Sequence, residues 1–437
     1  MSHSLVVEAH HVAGRRCDAR RPSLRSAVTW PARLAALLLL ATVLAAPPLR
    51  AQGSPLDSIR QRRAAIDDSV RRVHGDTAHD PNDSAVFHSR HAGRIVTVDH
   101  TPGGDLRTTE TVFAPTAFYA PETGFGFGGG LVRSVILGDH DHDQRPSTLQ
   151  VSGQLTQEQQ VTVYTVGDFW TRHNAYHLTF ELTYSHYPQK FFGLGPQSPD
   201  FPEGWAPTLE RAAMAVSHKF RENLYAGFQA LVEHEVVAIT DTGFLTSSAV
   251  PGQLGWNIVQ LGALAQFDTR EPYYFPLSGN LALFSAWFSN RTFGSEFGYA
   301  RATLDLRHFQ PLGAGHVFAI QLLVDGVLGT IPFDRMPQLG GVTVLRGLWD
   351  GRLRDRGMIA LQTEYRTAAW HRFGATVFVS TGTVAESVRD VASRDFRVAG
   401  GFGLRFALTD DDRLNVRIDR GWSKGTSGTY FTLGEAF

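Results

Sequence analysis

The chain has 437 residues, 43% of them hydrophobic, 11% aromatic and 19% charged, with a single cysteine. That is too apolar for a disordered protein and too poor in cysteine for a disulfide-stapled one. Forty-one basic residues against 42 acidic ones leave no electrostatic footprint for nucleic acid, and only one long apolar run exists, which excludes a multi-span helical transporter.

The first 33 residues carry Arg15, Arg16, Arg20, Arg21, Arg25 and Arg33, and the apolar run 34–46 follows, ending in small residues up to Ala51. A basic head, an apolar stretch too short to span a bilayer and a small terminal residue define a secretory signal peptide over 1–51. Cys17 lies ahead of the apolar run, so it is no lipid-anchor site. Cleavage after Ala51 leaves 386 residues, 34 basic and 40 acidic, with no cysteine. In the next segment, 52–109, Ser54 and Pro55 make a helix start, and Ile59, Ile66, Val70 and Val73 recur at helical spacing before Gly75. One amphipathic helix is expected there, followed by a His- and Asp-rich linker, both on the periplasmic side.

From 110 to 437 the period changes to two. Ala300, Ala302, Leu304 and Leu306 alternate with Arg301, Thr303, Asp305 and Arg307, and Leu414, Val416 and Ile418 with Asn415, Arg417 and Asp419. A soluble sandwich or a membrane barrel can give this pattern. Charges recurring on one face of strand after strand, in an exported chain, favour the barrel with its apolar face to lipid. Sixteen strands are expected: 110–119, 124–137, 147–157, 160–170, 174–186, 207–219, 222–234, 256–268, 279–290, 297–309, 315–327, 357–368, 371–381, 395–408, 413–422 and 428–437. Connections after odd strands include the long ones, 187–206, 235–255, 328–356 and 382–394, while most of those after even strands are short. Short periplasmic turns alternating with long external loops mark an all-β, transmembrane, antiparallel barrel. Within the second of these strands, Gly124, Gly126 and Gly129 fit G-x-G-x-x-G by letter, but no helix follows to cradle a phosphate. They read as the glycines of a curved opening strand, which is expected to meet the last strand and close the barrel.

Candidate chemistry is sparse. The run Asp139, His140, Asp141, His142, Asp143 has ligand-type residues, but a solvated periplasmic turn accounts for it better than a metal site. No G-x-S-x-G, H-E-x-x-H or paired-carboxylate motif stands out, so no catalytic residues, metal or cofactor are assigned and enzyme activity is not expected.

More specific signals lie in three places. Asp268, Thr269 and Arg270, followed by Pro276 and Gly279, resemble the D-T-R…P-x-x-G periplasmic turn of the bacterial surface antigen family, the BamA/TamA-type assembly and translocation barrels. Leu345, Arg346, Gly347 and Leu348 in the sixth external loop are similar to that family's V-R-G-[FY] motif. Glu364, Tyr365 and Arg366 resemble its E-Y-R strand, and Phe378–Gly382 its F-x-D-x-G. Phe431, Leu433 and a terminal Phe437 resemble the C-terminal signal of outer-membrane barrels. The resemblance spans about 110–437. It implies that the sixth loop folds into the lumen and that Arg346 pairs with acidic groups on the wall, Glu364 first. The family's second acid is Ser380 in this chain, and Asp419, on the inner face of strand 15, is the candidate to compensate. It also implies an outer-membrane location, contact with outer-membrane lipid, and a role in inserting or translocating polypeptides or lipids, with unfolded clients and periplasmic proteins as partners. Residues 52–109 do not read as the POTRA modules that such members carry, so the alternative is a passive pore or structural barrel.

Overall fold

A computed structural model describes residues 86–88, 94–100, 106–135, 145, 147–199, 202–241, 243–247, 250–271, 275–368, 370–407 and 415–437. The leader, the Ile59–Val73 helix and the Asp139–Asp143 run lie outside these residues. Sixteen antiparallel strands form the barrel. In chain order they are β1 (Leu106–Ala120), β2 (Gly124–Val135), β3 (Ser147–Thr156), β4 (Val161–Trp170), β5 (Tyr176–His186) and β6 (Glu203–Arg221). Then come β7 (Leu224–Ile239), β8 (Gly255–Asp268), β9 (Gly279–Ser289), β10 (Tyr299–Gly313) and β11 (His316–Gly329). The last five are β12 (Gly357–Arg366), β13 (Phe373–Ala385), β14 (Arg397–Ala407), β15 (Asn415–Ser423) and β16 (Thr426–Leu433).

Alternation decides which face each residue takes. On β12, Met358, Ala360, Gln362, Glu364 and Arg366 are buried, while Leu361 and Tyr365 between them are exposed. The outward set over the whole barrel is apolar and large, including Phe113, Phe127, Phe228, Phe288, Phe402 and Trp422. Water-soluble monomers rarely carry a continuous apolar surface of this extent, whereas a lipid-facing barrel requires one. The charged residues turn inward, where Arg301 pairs with Asp325 and Arg307 with Asp305.

The wall closes unevenly. Each successive pair of barrel strands, β1–β2 to β15–β16, runs in register over eight or more residues. Strands β16 and β1 meet at one residue pair, Phe431 opposite Tyr119. The glycine-rich stretch therefore does not form this seam. It lies on β2, between β1 and β3. A Cβ on Gly126 would overlap the Phe118 ring and one on Gly128 the backbone carbonyl of Gly153, so these glycines make room for neighbours inside the wall.

Two other stretches differ from expectation. Val86–His88 and Arg94–His100 are strands, although the segment reads as linker; Ile95, Val96, Thr97 and Val98 are β-branched, but the run is too short to stand out by period. The last strand ends at Leu433 rather than at the terminal aromatic. Gly434 (φ +80°) turns the chain, and Ala436 and Phe437 pack inside the lumen against Phe309, Val317 and Ala319.

Candidate functional site

The loop between β11 and β12 is the sixth of the long-loop end, and it folds inward because it carries its own apolar core. A short hairpin, Gln338–Leu339 with Leu353–Arg354, holds its base. Leu339, Leu345, Leu348 and Leu353 then pack against Met358 and Ala360 of β12, Val384 of β13 and Ala399 of β14, all on inward faces. Leu348 stands where the family motif has an aromatic residue, and this leucine core is what receives it.

At the loop tip the backbone turns sharply around Arg346, with Leu345 at φ +51° and Gly347 at φ +115°. The tip lies directly on β15. A Cβ on Gly347 would come within 2.7 Å of the Trp422 amide nitrogen, and one on Gly421 would strike the Arg346 carbonyl, so glycine is needed on both sides of the contact. Hydrogen bonds finish the seat. The Gly347 N–H donates to Tyr430 Oη (2.9 Å), which donates to the Leu348 carbonyl (3.2 Å), and Thr426 Oγ1 donates to the Gly347 carbonyl (3.1 Å).

From that seat the Arg346 side chain reaches two acids. Its Nη2 donates to Glu364 Oε1, its Nη1 donates to Asp419 Oδ2 (2.5 Å), and its guanidinium lies 3.7 Å from the centre of the Phe378 ring. The acids are shared onward. Arg366 Nε donates to Glu364 Oε2 (3.0 Å), Arg405 Nη1 to Asp419 Oδ1 (2.6 Å) and Arg405 Nε to Glu435 Oε2 (2.9 Å). Arg417 Nε lies 3.6 Å from Asp419 and donates to Thr432 Oγ1 at 2.9 Å. Four guanidinium groups thus meet three carboxylates, and Arg346, Glu364 and Asp419 have almost no exposure to solvent. Taking such charges out of water costs several kcal/mol per ion, so a cluster like this stands only when each charge is paired and hydrogen-bonded.

The sequence-assigned residues sort clearly by place. Arg346, Gly347, Glu364 and Asp419 are brought together. Ser380 is one link away: its hydroxyl donates to Gln362 Oε1 (3.1 Å) and does not touch Arg346, whose second acid is Asp419. Gln362 was not singled out by the sequence, yet it also accepts from the Leu345 N–H (3.1 Å) and donates to the Thr343 carbonyl (2.9 Å). Its only signal is the inward face that it shares with Glu364. A second missed residue is Arg354, buried at the loop base among Phe191, Trp205 and Phe333, with its carbonyl accepting from the Gly195 N–H.

At the opposite end, the Asp268–Gly279 turn is held by its own motif. Asp268 accepts from Arg270 through its backbone N–H, Nε and Nη2 at 2.9–3.1 Å. Thr269 Oγ1 accepts from the Asn280 N–H, and Gly279 has φ +99° with no room for a Cβ beside the Thr269 carbonyl. Pro276 is buried at the bend, and Leu277 packs on the Phe309 and Phe437 cluster. Phe431 sits on β16 at the seam, Leu433 pairs by backbone with Val416, and Phe437 lies in the lumen, where its carbonyl accepts from Arg366 Nη2.

Comparison with known proteins bears on this geometry. Residues 145–437 match the Omp85 superfamily domain. No curated protein matches the chain. Among solved structures, the chain is similar to BamA from Haemophilus ducreyi lacking POTRA domains 1–3, at a TM-score of 0.53 and 13% identity, over 89% of this chain and 85% of that one. It is also similar to CdiB from Acinetobacter baumannii, at a TM-score of 0.49 and 14% identity, over 78% of this chain and 65% of that one. At these identities the likeness is one of fold.

Proposed function

The chain belongs to the Omp85 superfamily, and from that premise we propose that it helps to insert or translocate other polypeptides or lipids at the outer membrane through the seam between β1 and β16. The family and fold give the general setting, an outer-membrane barrel of the assembly and translocation type. The observation that carries the finer reading is the seam itself, where one residue pair stands in place of a ladder. Few hydrogen bonds would have to break there for a strand to enter or a path to lipid to open.

In this reading Arg346 and Gly347 anchor the loop to β12, β15 and β16, the strands on one side of the seam, through Glu364, Asp419 and Tyr430. Ser380 contributes through Gln362. The anchored loop braces that side of the wall while the seam moves. The short turns, with Asp268–Gly279, face the periplasm and the long loops face outward, as the sorting of connection lengths supports. Clients and periplasmic partners approach from the turn end. A passive pore fits less well, because loop residues from Leu339 to Leu353 occupy the lumen beside β12–β14.

Depletion of the protein followed by comparison of the outer-membrane proteome tests the proposal. Selective loss of other barrels or of surface lipid is the expected result. An unchanged envelope, with stable ion conductance by the purified barrel, would favour the pore.

A further inference from the structure

Strand β1 has two edges, and its pairings say what lies on each. Residues 110, 111 and 112 pair with Ser134, Arg133 and Val132 of β2 and, at the same time, with Val96, Ile95 and Arg94 of the preceding strand. A strand residue has one neighbour on each side, so Arg94–His100 must lie on the edge of β1 that faces the seam. It covers 106–112 there, in register from His100 opposite Leu106 to Arg94 opposite Val112. Val86–His88 in turn covers the outer edge of Arg94–His100. Strand β16 reaches the same edge only at Tyr119. Among the described residues, 113–118 have no strand partner on that side.

The lengths then set a constraint. A strand that crosses a bilayer needs about 9–11 residues, and the edge from 113 to 119 offers seven. An incoming strand of spanning length cannot lie along β1 without taking the positions that Arg94–His100 holds. We propose that Arg94–His100 is an internal occupant of the seam edge, a strand of this chain that holds the docking register of an extended polypeptide and must leave before one of full length can add. The proposal rests on the function argued above for its purpose, though not for its geometry. An unpaired strand edge is a template for any passing strand, so an occupant also protects the barrel at rest. Five residues, 101–105, join the occupant to β1. So short a tether gives an effective concentration in the millimolar range, high enough to keep chance strands out and low enough to yield to a client held in place by other contacts. The occupant is β-branched at four consecutive positions and free of proline, as a competent strand should be.

Cysteines test it in proteoliposomes in the chain that follows residue 51, which has none of its own. Thr97→Cys with Thr109→Cys joins register partners, and Thr97→Cys with Thr116→Cys is the offset control. Mild oxidation should close the first pair and spare the second; equal yields, or no closure of the first, overturn the occupancy. A labelled synthetic peptide of residues 94–100 is the probe of the edge. Its capture should be at least about fivefold stronger in Val96→Pro than in the wild type or the oxidised pair; equal capture by all three overturns the claim that the site is held in competition. The folded state of each variant is checked by heat-modifiable mobility, and a chain lacking 86–100 stands in if Val96→Pro does not fold. A third arm follows insertion of a urea-unfolded model barrel. Slower insertion by the oxidised pair, restored by reductant, is the expected result, and identical rates in locked and open forms overturn the regulatory role. Absence of insertion by every form would instead sink the function proposed above, leaving the cross-link and peptide results to judge the occupant.

Discussion

Arg346 illustrates why the loop motif needs arginine and not merely a cation. Its two terminal nitrogens point to different strands, Nη2 to Glu364 of β12 and Nη1 to Asp419 of β15. A lysine is a point charge on a flexible stem and cannot hold both acids in that fork. Arg346→Lys should therefore behave nearly as Arg346→Ala does. Each should destabilise by about 3 kcal/mol, the lower end for a broken buried pair, because Arg366 and Arg405 still serve the two acids. External protease should cut the loop faster in both, and the thermal midpoint in detergent should fall. Protection equal to wild type in Arg346→Lys and Arg346→Ala would remove the anchor from the account. A second residue, Glu122, responds to pH. Burial in the turn between β1 and β2, reinforced by the nearby Asp350 charge, pushes its carboxyl up to about 7. One carboxylate oxygen has no hydrogen-bond partner, so the neutral acid suits the site better. A carboxyl raised in the folded state withdraws stability as pH climbs from its ordinary value, 4.5, through about 7. Glu122→Gln should thus melt above wild type at pH 8, and the gap should shrink towards pH 5. A gap independent of pH would mean that another group carries the titration.

At the scale of the element, β16 is instructive because its sequence and its length disagree. The expected strand runs past Leu433 to the terminal phenylalanine, and continuing the Phe431–Tyr119 register would set residues 432–437 against the open positions 118–113. The chain instead turns at Gly434, and Glu435 takes bonds from Arg405 and Asn415 while Arg366 holds the Phe437 carbonyl. Gly434 has open space around it, so an added methyl would cost only conformation. Gly434→Ala should disfavour the left-handed turn by about 1 kcal/mol, roughly a fivefold shift of population towards the extended tail. Cysteines at Ala436 and Ala114, opposite each other in the continued register, would read that shift as a rise in cross-linking over the Gly434 background. No rise would show that the lumenal bonds alone fix the tail. The same element marks how far the sequence could be read. Period-two alternation shows sixteen strands because a lipid exterior and a wet interior impose opposite polarity at every step. The inward face of Glu364 follows from the same rule, whereas its pairing with Arg346 is implied only by the resemblance of the loop motif. What alternation does not carry is partner choice. Gln362 is one polar residue on a polar wall, Arg354 is one more arginine in a long loop, and Arg94–His100 is too short for its period to rise above composition. Gly434 gives no sign that its φ is positive until its neighbours are seen.

Across the whole molecule, hydrogen bonding is distributed so that one joint is far weaker than the rest. The ladder is continuous from β1 around to β16, the loop fastens β12, β15 and β16 to one another through Arg346 and Gly347, and the closing joint has Phe431 and Tyr119 alone. If opening occurs anywhere in the wall it should occur there, since every other junction would have to give up a ladder at once. A disulfide placed at that pair, Tyr119→Cys with Phe431→Cys, adds a covalent bond where only one residue pair existed and leaves the anchored loop untouched. The locked barrel should fold, keep its loop protected from protease, and insert a urea-unfolded model barrel into liposomes far more slowly than the same protein after reduction. Loop protection is the control that separates a closed seam from a damaged barrel. A lock engineered instead across β8 and β9, at Ala263 and Ala286, joins strands already in register and should leave insertion unchanged. Full activity of the oxidised seam variant would mean that cargo passes by a route other than the junction of the first and last strands.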